Sequence, residues 1–96
     1  MNRLALVTGS SAGIGLELAK ELASRGHDII GVGSSARIEG LRDQLPSVTV
    51  VQVQADLGTA AGVETVWQRV VELGRPLDVA ALNAGESRGG SPWLPA

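Results

Sequence analysis

Thr8-Gly9-Ser10-Ser11-Ala12-Gly13-Ile14-Gly15 is a glycine-rich turn set between an apolar run, Leu4 to Val7, and an amphipathic segment beginning at Ile14. A turn of this kind between a strand and a helix reads as a phosphate cradle. Glycine is needed where the backbone must adopt conformations closed to other residues, and where a pyrophosphate has to rest against the chain with no Cβ between them. The third glycine lets helix and strand pack closely. Unpaired N–H groups of the first helical turn, with the positive end of the helix dipole behind them, then face the phosphate oxygens. Ser10 and Ser11 add hydroxyl donors. The spacing is G-x-x-x-G-x-G rather than the general G-x-G-x-x-G, but a strand before it and a helix after it supply the context the motif requires. An ATP-type P-loop is excluded, because no Gly-Lys-Ser/Thr follows and the only lysine, Lys20, lies deeper in the helix.

Beyond the turn, helical spacing runs from Gly13 to Ser24, with Ile14, Leu18 and Leu22 on one stripe and Ala19 and Ala23 widening it. Gly26 is placed to end this helix in a left-handed cap. His27, the single histidine, has no Ser or Cys partner nearby and reads as an exposed turn residue. Ile29 to Val32 forms a second strand, and Gly33 to Arg37 a loop of turn-forming residues. A short helix through Leu41 and Leu45 is stopped by Pro46. Val48 to Val53 is a third strand, running into Ala55-Asp56-Leu57-Gly58. Thr59 caps a further helix on which Val63, Val66, Trp67, Val70 and Leu73 keep helical spacing, which makes Trp67 a core or helix-to-sheet contact. Gly74 and Pro76 end that helix. Asp78 to Leu82 is a fourth strand, closed by Asn83-Ala84-Gly85.

The alternation β-α-β-α-β-α-β calls for a parallel sheet with right-handed crossovers and helices on both faces, in the strand order 3-2-1-4. This is an α/β fold of the Rossmann type. Its ligand crevice lies beyond the carboxyl ends of the strands, at the switch point beside strand one. Residues 1–85 form the dinucleotide-binding half-domain, and residues 86–96 an irregular tail of Gly, Ser, Pro and Arg with Trp93 and Leu94.

Composition agrees with a small core of Val, Leu, Ile and Ala, since 44% of the residues are apolar and only 2% aromatic. Such a core suits parallel strands buried on both faces. A formal net charge of −2 without basic clusters argues against a nucleic-acid surface or an acidic membrane as partner. With no cysteine there are no disulfides or thiolate metal sites. Met1 leads within three residues into the first strand, and no apolar run reaches membrane-spanning length, so a cytoplasmic protein is expected.

Taken in order, Thr8-Gly9-x3-Gly13-Ile14-Gly15, Asp56-Leu57 and Asn83-Ala84-Gly85 resemble the short-chain dehydrogenase/reductase family over residues 3 to 85. The resemblance implies a nicotinamide dinucleotide, NAD(P), with its pyrophosphate on the turn formed by Gly9, Ser10, Ser11, Gly13, Ile14 and Gly15. It further implies that Asp56 accepts from the adenine amino group, that the backbone of Leu57 lines the ring, and that Asn83, Ala84 and Gly85 support the sheet beside the nicotinamide end. Asp56 serves equally as an N-terminal charge for the helix after it. NADP is favoured over NAD: the acid that would grip a ribose 2′-hydroxyl belongs about 20 residues past the glycines, where this chain has Gly33. Ser34, Ser35 and Arg37 instead offer hydroxyls and a guanidinium to a 2′-phosphate. Arg37 is otherwise a solvated charge at a helix start.

The family's catalytic tyrosine, and the lysine four residues beyond it, have no counterpart here, for the sequence contains no tyrosine. The expectation is therefore the cofactor-binding half of a short-chain oxidoreductase that does not turn over by itself; the alternative is a stand-alone dinucleotide-binding or regulatory module. Strand four is expected to leave an open edge, and one face of strands one and four to be bare, which invites self-association or a missing C-terminal half.

Overall fold

The structure, a computed structural model, describes residues 2–10 and 13–82. Four strands, β1 (Arg3–Thr8), β2 (His27–Gly33), β3 (Val50–Gln54) and β4 (Val79–Ala81), form one parallel sheet in the order β3-β2-β1-β4. They alternate with helices α1 (Gly13–Ser24), α2 (Leu41–Gln44) and α3 (Ala60–Leu73), and a 3-10 turn at Ala36–Gly40 leads into α2. Fold class and strand order are those expected from the sequence.

The side chains of β1 alternate between two cores, as the two-residue period of a strand requires. Ala5 and Val7 join Ala19 and Ala23 of α1 with Ile38, Leu41 and Leu45 on one face. Leu4 and Leu6 join Ile30, Val32, Val53 and Val66 of α3 on the other. Only small residues of α1 are fully buried, Gly15, Ala19 and Ala23. The buried stripe is thus one position on from Ile14-Leu18-Leu22, and Ile14 is 78% exposed. Small side chains bring the helix axis close to β1, and Leu16 and Leu22 seal the flank.

Three expectations need correction. His27 is the first residue of β2 and is buried, its Nδ1 lying 3.0 Å from the Leu22 carbonyl oxygen, so it anchors the helix-to-strand turn instead of facing solvent. Trp67 is 59% exposed, because α3 presents Gly62 and Val66 to the sheet and turns Trp67 away. The α3 face of β1 is not bare, since Leu4 and Leu6 are buried beneath that helix.

At the amino ends of the strands, Asp28 holds four segments together. Its carboxylate accepts from Asn2 Nδ2 and from the Thr49 N–H, both at 3.0 Å, and Arg75 Nη1 lies 3.0 Å away. Asp78 fixes β4 to β1 in a similar way, its carboxylate accepting from the Leu4 N–H while its own N–H donates to the Leu4 carbonyl, both at 2.8 Å.

Candidate functional site

The register fixes which residues share the carboxyl edge of the sheet. Thr8 lies opposite Val32, Gly33 opposite Gln54, and Val7 opposite Ala81. The glycine turn, the Ser34–Arg37 segment and Ala55–Leu57 therefore emerge side by side at one edge. Chain order reverses at β1, with β2 and β3 on one side and β4 on the other. A crevice at such a switch point is where open α/β sheets take their ligands.

Gly9 and Gly13 both take positive φ, 63° and 61°, which L side chains adopt only with strain. A Cβ at Gly13, the first residue of α1, would meet nothing within 4 Å among the described residues. Gly15 is buried on the same stripe of α1 as Ala19 and Ala23.

Ser10 has a different task from the one expected. It is fully buried, and its N–H and hydroxyl both approach the Val32 carbonyl, at 3.2 and 3.4 Å. Ser10 thus ties the turn to the end of β2 and shows no hydroxyl to the crevice. Gly31 makes this possible, since a Cβ there would run into Leu41 and stand 2.9 Å from the Ser10 hydroxyl. A glycine inside an otherwise β-branched strand was the sequence signal for that close approach.

Ser34 and Ser35 are exposed at the end of β2, and Ser35 caps the 3-10 turn by accepting from the Arg37 N–H at 3.4 Å. Arg37 is exposed, and among the described residues no carboxylate pairs with its guanidinium. Arg42 ties α2 to β3, its N–H donating to Gln52 Oε1 at 2.8 Å.

Asp56 organises the start of α3. One carboxylate oxygen accepts from the Gly58 N–H at 2.9 Å, and its carbonyl accepts from the Thr59 hydroxyl at 2.8 Å. Thr59 Oγ1 in turn accepts from the Gly62 N–H at 3.0 Å as the helix cap. Gly62 presses against the Asp56 backbone where any Cβ would collide. The second carboxylate oxygen of Asp56 has no partner among the described residues, and the neighbouring Leu57 is exposed. Ser11, Asn83, Ala84 and Gly85 lie outside the described residues.

Among the described residues no group of His, Asp and Glu side chains is arranged to hold a metal ion, and no helix is long and apolar enough to cross a membrane. Lys20, the single lysine, pairs with Glu17 at 3.8 Å on the outer side of α1, remote in role from the sheet edge.

A family model described as short chain dehydrogenase matches residues 3–92. The chain belongs to that family. Among other members, NADPH-dependent pterin aldehyde reductase of Arabidopsis thaliana is 38% identical over 85 residues, covering 86% of this chain and 35% of the reductase. L-sorbose reductase of Gluconobacter frateurii, solved with NADPH and L-sorbose, superposes with a TM-score of 0.79 at 29% identity, over 99% of this chain and 38% of that one. RhlG of Pseudomonas aeruginosa, solved with NADP, gives a TM-score of 0.78 at 34% identity over 88% of this chain and 35% of RhlG. This short chain dehydrogenase sequence therefore spans little more than a third of the length of these three relatives.

Proposed function

We propose that the chain is the cofactor-binding portion of a short-chain oxidoreductase and that it takes a nicotinamide dinucleotide at the carboxyl edge of its sheet, NADPH in preference to NADH. The observation that carries this is the glycine turn: two left-handed glycines, no atom of the described residues within 4 Å of where a Gly13 side chain would start, and the amino end of α1 behind it. Backbone N–H groups at such a helix start suit a pyrophosphate. Gly9, Gly13, Ile14 and Gly15 provide the cradle with Ser11, while Ser10 holds it in shape. Asp56 and Leu57 take the adenine, and Asn83, Ala84 and Gly85 support the nicotinamide end. Ser34 and Arg37 meet the 2′-phosphate, a reading supported by the Arg37 guanidinium, which no carboxylate pairs with among the described residues, and by the NADPH and NADP bound to L-sorbose reductase and RhlG.

The bound nicotinamide would supply hydride chemistry. The chain contributes no proton donor suited to that transfer. It has no tyrosine, and Lys20 is engaged with Glu17. Binding without turnover is the expected behaviour of the polypeptide as given.

Thermal melting with added dinucleotide tests the reading. Ligand at one hundred times its Kd stabilises the folded form by about 2.7 kcal/mol, roughly 10–20 °C for a domain of this size. NADPH should give the larger shift. A sharply melting chain whose midpoint neither dinucleotide moves would refute it.

A further inference from the structure

Val48-Thr49-Val50-Val51-Gln52-Val53-Gln54 holds four valines, a threonine and two glutamines, with no charge, glycine or proline. Segments of this kind, about six or seven residues long with a strong strand preference, pair with copies of themselves where a strand edge is open. β3 takes up most of the segment and stands at one end of the sheet, pairing with β2 alone among the described residues. The chain on both sides of β3, residues 13–49 and 55–82, is described.

The ladder to β2 says which backbone groups of β3 face outward. Thr49 accepts from the Ile29 N–H at 3.0 Å, and Ala55 donates to the Gly33 carbonyl at 2.9 Å. Successive residues of a strand turn their N–H and C=O to opposite sides. Val51 and Val53 therefore bond towards β2 with Thr49 and Ala55, while Val50, Gln52 and Gln54 turn theirs away. Among the described residues, the one hydrogen bond to these outward groups comes from Arg42, whose Nη2 donates to the Val50 carbonyl at 3.3 Å. Arg42 is held there from its root as well, since its N–H, at the start of α2, donates to Gln52 Oε1 at 2.8 Å. Among the described residues no carboxylate pairs with it. An exposed guanidinium thus lies on the outer edge of an uncharged, valine-rich strand.

We propose that Arg42 is an edge guard: it occupies the Val50 carbonyl and sets a cation against β3, and so keeps a second copy of this chain from adding its own β3 there. The excluded partner is a second copy because the edge is its own complement. Two identical strands related by a two-fold axis present the same groups to each other, and Val48 to Gln54 would set no like charges face to face. Arg42 breaks that match. A close pair would bring two guanidiniums to one edge and strip them of water, and each holds a carbonyl that an N–H of the other copy needs. Charge placed at an edge strand is one way in which sheets avoid pairing edge to edge. The guarded edge is at the end of the sheet away from β4, and the proposal does not depend on dinucleotide binding.

Sedimentation of the full chain over a concentration series tests it, with thermal melts to establish that each variant is folded. Arg42→Ala should associate at about a tenfold lower concentration than wild type, because a symmetric pair regains two carbonyl acceptors. In the associated form the backbone amides of Val50, Gln52 and Gln54 should exchange more slowly than in dilute wild type. Adding Gln54→Pro, which removes an outward N–H and no bond to β2, should return Arg42→Ala to wild-type behaviour. Gln54→Lys, at an exposed position, puts charge back on the edge without touching the backbone and should act alike. Arg25→Ala, the same loss of charge on the solvent side of α1, should have no effect. Equal association by wild type and Arg42→Ala, an increase that survives both Gln54 changes, or the same increase from Arg25→Ala would each overturn the proposal, the last by making net charge the cause.

Discussion

Arg75 bridges the segment before β4 to the start of β2: its Nη1 lies 3.0 Å from Asp28 Oδ2, and its Nη2 donates to the Asn2 carbonyl at 2.8 Å. Burial by itself pushes the Asp28 carboxyl up. The hydrogen bonds from Asn2 and Thr49 and the Arg75 guanidinium outweigh that and hold it below the usual carboxylate range. A carboxylate whose pKa is depressed on folding stabilises the fold above its unfolded value and loses that contribution as pH falls through the folded value. Asp28→Asn should therefore cost roughly 1.5–3 kcal/mol at neutral pH, the range of hydrogen bonds to charged groups. The difference from wild type should narrow below about pH 4. Urea unfolding at a series of pH values measures both, and a gap that stays constant from pH 7 to pH 3 would contradict the assignment.

Gly31→Ala is expected to destabilise the chain by about 1–3 kcal/mol, the usual cost of overpacking, because the new methyl collides with Leu41 and crowds the Ser10 hydroxyl. The same change pushes Ser10 from the Val32 carbonyl and loosens the glycine turn. A fall in the denaturation midpoint with an unchanged m-value would be its mark.

Thr59 and Asp56 share a turn but are expected to separate by experiment. Thr59→Ala removes the hydroxyl that caps α3 and should cost about 1 kcal/mol, with little change in NADPH affinity. Asp56→Ala removes the Gly58 contact as well and leaves the adenine edge unanswered, so affinity should fall further than stability alone explains. Equal loss of affinity in the two variants would mean that Asp56 acts only through the helix start.

How far these residues were legible differed with the kind of force involved. The order of strands followed from apolar runs punctuated by glycine and proline; a left-handed glycine stands at Gly26 as its place in the sequence suggested, and another at Gly74, where the helix was expected to end. Trp67 misled because helical spacing marks an apolar stripe without saying which of two adjacent stripes the sheet will take. Val66, offset by one residue, is the buried one. His27 misled for a related reason: a polar residue beside Gly26 looks like turn, but its ring is held by the Leu22 carbonyl, and that partner becomes visible only once α1 folds back. The Asp28 cluster joins residues 2, 28, 49 and 75. Contacts so far apart in sequence leave no local pattern.

Arg37 decides the choice of dinucleotide in this account. Arg37→Ala should reduce the preference for NADPH over NADH about tenfold, the equivalent of about 1.4 kcal/mol, and leave NADH affinity unchanged. Competition titrations with the two dinucleotides measure the ratio. A variant that keeps the wild-type ratio would leave Arg37 as a solvated surface charge.

The most direct measurement is a calorimetric titration of NADPH into the folded chain and into Gly13→Val, with thermal melts of both to establish that each is folded. At Gly13 the backbone has φ of 61°, and no atom of the described residues lies within 4 Å of where a side chain would start. A valine there adds roughly 1–2 kcal/mol of backbone strain and fills the cradle. The expected result is saturable binding by the wild-type chain and none by the folded variant. Equal affinity in the two, or no binding by a folded wild-type chain, would contradict the glycine turn as the dinucleotide site.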